Sequence, residues 1–135
     1  MEQRDVSVRV TSRVFDGVDM METVHLAAGV LHRRGSALRL VYETLEDAGA
    51  VTNSVSTTDG RRVTVDRQGM FSLHMTLETG IVSVVAVGGT TLDARTREAR
   101  VNCDERGLRV RLIYTFGGGA PSEHDLLIEA TEEAI

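Results

Sequence analysis

The sequence predicts an all-β fold, an up-and-down barrel or a sandwich, and three observations carry that expectation. Apolar residues alternate with polar ones at period two along nearly the whole chain. Glycine-centred turn pairs recur at fairly even spacing between these runs. No stretch shows a helical period. Roughly ten short strands at intervals of about ten residues is the resulting pattern.

Taken in order, Val6, Val8 and Val10 alternate with Ser7, Arg9 and Thr11. After a break at Asp16-Gly17 the alternation resumes with Val24, Leu26, Ala28 and Val30, then Leu38, Leu40 and Tyr42 after Arg34-Gly35. A helical turn is expected near Glu46-Asp47-Ala48. Val51, Asn53 and Val55 follow Ala48-Gly49, and Val63 and Val65 follow Asp59-Gly60. Gln68-Gly69 bends the chain into the Phe71 to Leu77 strand. Past Thr79-Gly80, Ile81 to Val87 is apolar on both parities, which predicts a strand buried on two sides or one with blurred alternation. Leu92, Ala94 and Thr96 follow Gly88-Gly89, and Leu108 to Phe116 follow Arg106-Gly107. Gly117 to Pro121 reads as a loop before a last strand holding Leu126 and Ile128, and the tail from Glu129 is expected to fray.

The chain has 135 residues, 41% hydrophobic and 26% charged, which fits one domain over residues 1–135 with an ordered core at about 5–129 and a short acidic tail. Apolar runs are far shorter than a membrane span, and no signal peptide is read at the N-terminus. A lone cysteine, Cys103, allows no internal disulfide and suits a reducing compartment, so the expected location is the cytoplasm. The net charge of −5 argues against a general nucleic-acid binder, and no membrane partner is expected. All fifteen basic residues are arginine. Arg9, Arg13, Arg109 and Arg111 would make a basic strip only if their strands were adjacent, and otherwise form a solvated face.

The order of features resembles a known family. "VSVRVTSR", Asp16-Gly17, Gly29-Val30-Leu31, "LVYE" at 40–43, "VTVDRQG" at 63–69, "SLHMTLETG" at 72–80, Gly88, "DART" at 93–96 and "RLIYTF" at 111–116 are similar to the YwiB-like bacterial domains of unknown function. The resemblance runs from about Asp5 to Glu129 and implies a calycin, or lipocalin-like, barrel: one antiparallel up-and-down barrel of about eight to ten strands. It implies no activity. Ser83 to Val87 departs from the family pattern, which often places an aromatic and Thr-Pro before the glycine that matches Gly88.

Arg67 is the leading site candidate, because it shares parity with the apolar residues of its hairpin and so faces a barrel interior or rim. It would anchor an anionic head group, or cap the barrel through backbone carbonyls with Glu43 as counter-ion. Tyr42 and Tyr114 lie on apolar strand faces and would orient a ligand, or pack as core tyrosines. His25, His32, His74 and His124 show no metal-ligand spacing, and His74 is expected outside. No nucleophile elbow or phosphate-binding loop is present.

Two function classes follow. One is a non-enzymatic binding module for a small, anionic or aliphatic molecule in the lumen or mouth, contacted by Arg67, Tyr42, Tyr114 and Glu43, with no cofactor and no metal. The other is a structural or interaction module with a filled barrel and a homodimeric or partner contact through an outer face.

Overall fold

The computed structural model describes residues 2–70, 72–117 and 122–132. Ten strands run in chain order: β1 (Glu2–Phe15), β2 (Met20–Arg34), β3 (Ala37–Glu46), β4 (Gly49–Thr57), β5 (Val63–Gln68), β6 (Leu73–Leu77), β7 (Val82–Val87), β8 (Thr90–Cys103), β9 (Gly107–Phe116) and β10 (Ser122–Glu132). Each pairs antiparallel with its neighbour in sequence, and β10 returns to β1, so the sheet closes into an up-and-down barrel. The expected all-β barrel is what the chain forms.

Period-two alternation sets the inner face. Val6, Val8 and Val10 of β1 meet Leu40 of β3, Val55 of β4, Val63 and Val65 of β5, and Met75 and Leu77 of β6. Val85, Leu112 and Ile128 close the far side, each fully buried. A register shift between Thr96 and Glu98 in β8 moves the inward parity from Ala94 and Thr96 to Ala99 and Val101. A small void bounded by Leu38, Val55, Val63, Val101, Leu108 and Val110 has about 10 Å³, barely a site for one water. One apolar cluster of buried side chains, drawn from β1 to β6 and from β7 to β10, packs inside the barrel.

The wall is uneven in height. β1, β2 and β8 have 14, 15 and 14 residues, whereas β5, β6 and β7 have 6, 5 and 6. β2 therefore outruns its other neighbour. It pairs with β1 continuously over Met20–Arg33 but with β3 only over Gly29–Arg34. At Gly29 the two part company: a Cβ there would lie 2.8 Å from Val8 Cγ2 and 3.0 Å from the Val41 carbonyl oxygen, so only glycine lets β2 pass this close.

Several local expectations are corrected. Asp47-Ala48 is a tight turn between β3 and β4, not a helical turn, and Glu46 ends β3. Gly49 at φ +116° supplies the turn conformation that a side chain would strain. Of the two readings of Ile81–Val87, the structure shows blurred alternation and not burial on both sides. Val85 is buried, while Val82 and Val84 on the outer parity are 55% and 67% exposed. The C-terminal tail does not fray at Glu129, because Glu129 to Glu132 pair with Arg9 to Val6. Phe71 and the 118–121 part of the expected loop lie outside the described residues, as do 133–135.

Candidate functional site

The mouth nearest the β3–β4 and β5–β6 turns gathers the polar residues that share the inner parity. Across the β3–β4 hairpin, Tyr42 lies opposite Asn53, and across β4–β5, Asn53 lies opposite Arg67. Thr44 and Glu46 continue the Tyr42 face toward the rim. Four side chains then close a hydrogen-bonded ring. Arg67 Nε donates to Asn53 Oδ1 at 3.0 Å, and Asn53 Nδ2 donates to Thr44 Oγ1 at 3.1 Å. The Thr44 hydroxyl donates to Glu46 Oε2 at 2.8 Å, and Arg67 Nη2 pairs with the same oxygen. Arg67 thus spends Nε and Nη2 on partners inside the ring, which is what a charge on an apolar face demands.

Electrostatics follow from that ring. Burial pushes the Glu46 carboxyl up, but the hydrogen bonds from Arg67 and Thr44 and the charge of Arg67 outweigh it, leaving the group below the ordinary range. Burial raises Tyr42 to about 12 against an opposing pull from Arg67, with Glu46 adding a smaller push. Tyr114 is likewise raised to about 12 by burial, again opposed by Arg67. Both tyrosines therefore feel the same guanidinium, and each is only 6% exposed. They are core tyrosines at the base of the mouth.

Tyr114 also anchors an aromatic cluster. Its ring stacks on His124 with centroids 5.0 Å apart and 2° between planes, and Phe116 meets both rings edge-on. Burial lowers the pKa of His124, whose Nε2 lies 2.9 Å from Ser122 Oγ.

The structure thus brings Arg67, Tyr42 and Tyr114 to one mouth. It does not bring Glu43 there. Glu43 sits on the outer parity and is exposed, and Glu46, three residues on, is the counter-ion of Arg67. Sequence reasoning missed Glu46, Thr44 and Asn53 as a group. Counting parity from Tyr42 through the Ala48-Gly49 turn would have found all three. Of the partners considered for Arg67, neither backbone carbonyls nor Glu43 holds it here; Asn53 and Glu46 side chains do.

Elsewhere, His74 is exposed as expected and pairs with Asp66 on the outer wall. Arg9, Arg13, Arg109 and Arg111 form no basic strip, because β10 lies between β1 and β9. Glu129 separates Arg9 from Arg109, Arg13 pairs with Glu22, and Arg111 with Asp125. No group of three or more His, Cys, Asp or Glu suited to a metal ion occurs among the described residues. No helix there is long and apolar enough to cross a membrane.

The outer wall holds the least expected feature. The apolar parity of β2 faces outward, so Met20, Val24 and Leu26 are 65%, 43% and 77% exposed. The inner parity carries Thr23, His25, Ala27 and Gly29. Beside Leu26 and Ala28, a shallow concavity of about 580 Å³ runs over Ser7, Arg9, Glu129 and Thr131.

Comparison with known proteins agrees with this architecture. The chain superposes on the crystal structure of the ywiB protein from Bacillus subtilis with a TM-score of 0.85, covering 98% of this chain and 94% of that one at 20% identity. At that identity the likeness speaks for the fold alone. No curated protein matches the sequence. A family model described as "Domain of unknown function (DUF1934)" matches residues 8–126. The chain belongs to that family.

Proposed function

We propose that this domain is a non-enzymatic interaction module: a filled barrel that offers the outer face and free edge of β2 to another polypeptide. One observation carries the reading. Met20–Ala28 presents both an exposed apolar stripe and a strand edge with no partner on the β3 side among the described residues. Exposed edges of this kind are templates for strand addition. The buried apolar cluster inside the barrel supports the same reading, because side chains occupy the inner face of the described strands. The unpaired Cys103 fits action in a reducing compartment such as the cytoplasm.

Hydrogen exchange tests it. At high dilution, the amides of Met20–Ala28 that point away from β1 should exchange fast. The amides of the β5–β6 region, paired on both sides, should exchange slowly under the same conditions. Slow exchange of the outward-pointing Met20–Ala28 amides at high dilution would overturn the reading, because the edge would then be covered within the single chain.

A second reading keeps the mouth as a small-molecule site, supported by the convergence of Arg67, Tyr42 and Tyr114. An acidic aliphatic ligand would have to compete with Glu46 for Arg67. Thermal-shift screening of such acids checks this. The expected signature is stabilisation by an acid that disappears in Arg67→Ala, and a screen without any shift would dismiss it.

A further inference from the structure

We propose that the mouth takes the head group of a short aliphatic monocarboxylate, held by Arg67 Nη1 and the Tyr42 and Tyr114 hydroxyls, with its chain laid along Leu73 and Val87. The inference rests on the second reading above, of the mouth as a small-molecule site, and adds the donors, the charge of the ligand and the direction of its tail.

The donors outnumber their acceptors. Arg67 gives Nε to Asn53 and Nη2 to Glu46, and Nη1 has no hydrogen-bond partner among the described residues. The Tyr42 and Tyr114 hydroxyls have none among those residues either, although each tyrosine is only 6% exposed. Beside Tyr114 across β8–β9, Thr96 is 1% exposed, and its Oγ1 is buried without a partner. Buried polar groups are normally bonded, so this part of the inner face is short of acceptors. A carboxylate supplies acceptors and no donors. The guanidinium that would meet it first is reachable, with 36% of its side chain exposed. Both tyrosines lie in the field of that same guanidinium.

Charge narrows the class. Glu46 already offsets Arg67. A dianion such as phosphate would set two more negative charges beside the Glu46 carboxylate, whereas a carboxylate sets one. One of its oxygens accepts from Nη1 and the other from a tyrosine hydroxyl, while Glu46 keeps Nη2. The competition with Glu46 is then for the charge of Arg67 and not for a single N–H.

The tail has a track. Arg67 lies opposite Leu73 across β5–β6, and Leu73 lies opposite Val87 across β6–β7. One row therefore runs from the guanidinium onto apolar side chains, over two strand spacings or about 10 Å. Leu73 and Val87 are half-buried and pack against the core. The ring on β3–β5 makes one side of the mouth polar and this row makes the next side apolar. That layout suits a ligand with a charged head and an aliphatic body.

Hexanoate is the probe, titrated into the full chain and read by tyrosine emission. The chain has two tyrosines, both at the site, and no tryptophan. A saturable change in emission is expected. Tyr42→Phe and Tyr114→Phe keep the rings, and each should weaken binding about tenfold, the worth of one hydrogen bond to a charged group. Arg67→Ala should abolish binding, and Glu46→Gln, which removes the neighbouring charge, should tighten it. Hexanol and inorganic phosphate should give no saturation. Phosphate that binds as tightly as hexanoate overturns the monocarboxylate class. Hexanoate affinity unmoved by both tyrosine variants overturns the donor set and leaves the mouth reading in place. A chain that ignores hexanoate but is stabilised by another acid through Arg67 removes this inference alone, and a chain that no acid stabilises removes the reading beneath it.

Discussion

At the mouth, four polar side chains turn inward and satisfy one another; along Met20–Ala28, apolar side chains turn outward and the backbone edge stays open. Both regions break the simple rule of apolar inside and polar outside, and they break it differently. Arg67, Asn53, Thr44 and Glu46 bond to one another in a closed ring. Met20, Val24 and Leu26 stay exposed. A closed polar network inside a barrel rigidifies it, whereas an open apolar edge outside calls for a second molecule. The first region closes on itself within one chain, and the second stays exposed and unpaired on the β3 side among the described residues.

The largest expected effect concerns the base of the mouth. Tyr42 and Tyr114 are the only tyrosines and the chain has no tryptophan, so tyrosinate absorbance reads these two sites directly. Their folded pKa values stand at about 12 against an ordinary 10.0. Because the folded values are raised, their contribution is intact below pH 10 and is lost as pH rises from 10 toward 12. The loss is about 2–3 kcal/mol per tyrosine. Denaturant midpoints should fall over that window, and a folded-state absorbance transition near pH 10 would break the picture of buried hydroxyls.

Next in size is the point where the two regions separate. Gly29→Ala forces a Cβ against Val8 and the Val41 carbonyl, so a loss of about 1–3 kcal/mol is expected in urea unfolding. Arg67→Ala comes third. It leaves Glu46 and Asn53 without their guanidinium and should cost about 1–2 kcal/mol, toward the low end because solvent reaches the pair. The depressed Glu46 pKa gives the matching acid signature. The stability it contributes is present above the unfolded value of 4.5 and is lost as pH falls through the lower folded value, and Arg67→Ala should abolish that component. Glu43→Gln should change nothing measurable, since Glu43 is exposed on the outer wall.

How much of this was legible beforehand depends on what parity can say. Alternation placed Tyr42, Tyr114 and Arg67 on inner faces correctly, because the apolar neighbours of each must leave water. It named Glu43 as the counter-ion through mere adjacency, although adjacent strand residues face opposite ways, and it lost Glu46 by reading Asp47-Ala48 as helical. For β2 the same rule points Val24, Leu26, Ala28 and Val30 inward, and the structure turns Val24 and Leu26 outward. That choice is made by the pairing with β1, which turns Gly29 toward Val8 and therefore Val24 and Leu26 outward. The uneven strand lengths that open the β2 edge arise from long-range register, which no local pattern encodes.

A similarly small effect on stability is expected at the β2 face, where it is the most telling for contact. Leu26→Asp changes an outer residue that is 77% exposed, so it should shift unfolding by less than about 0.5 kcal/mol. Hydrogen exchange of the native chain at high dilution, beside Leu26→Asp, tests the central claim most directly. In both, the Met20–Ala28 amides that point away from β1 should exchange fast, while the β5–β6 amides, paired on both sides, exchange slowly. Slow exchange of the outward-pointing Met20–Ala28 amides in the native chain would contradict it, because the edge would then be covered within the single chain.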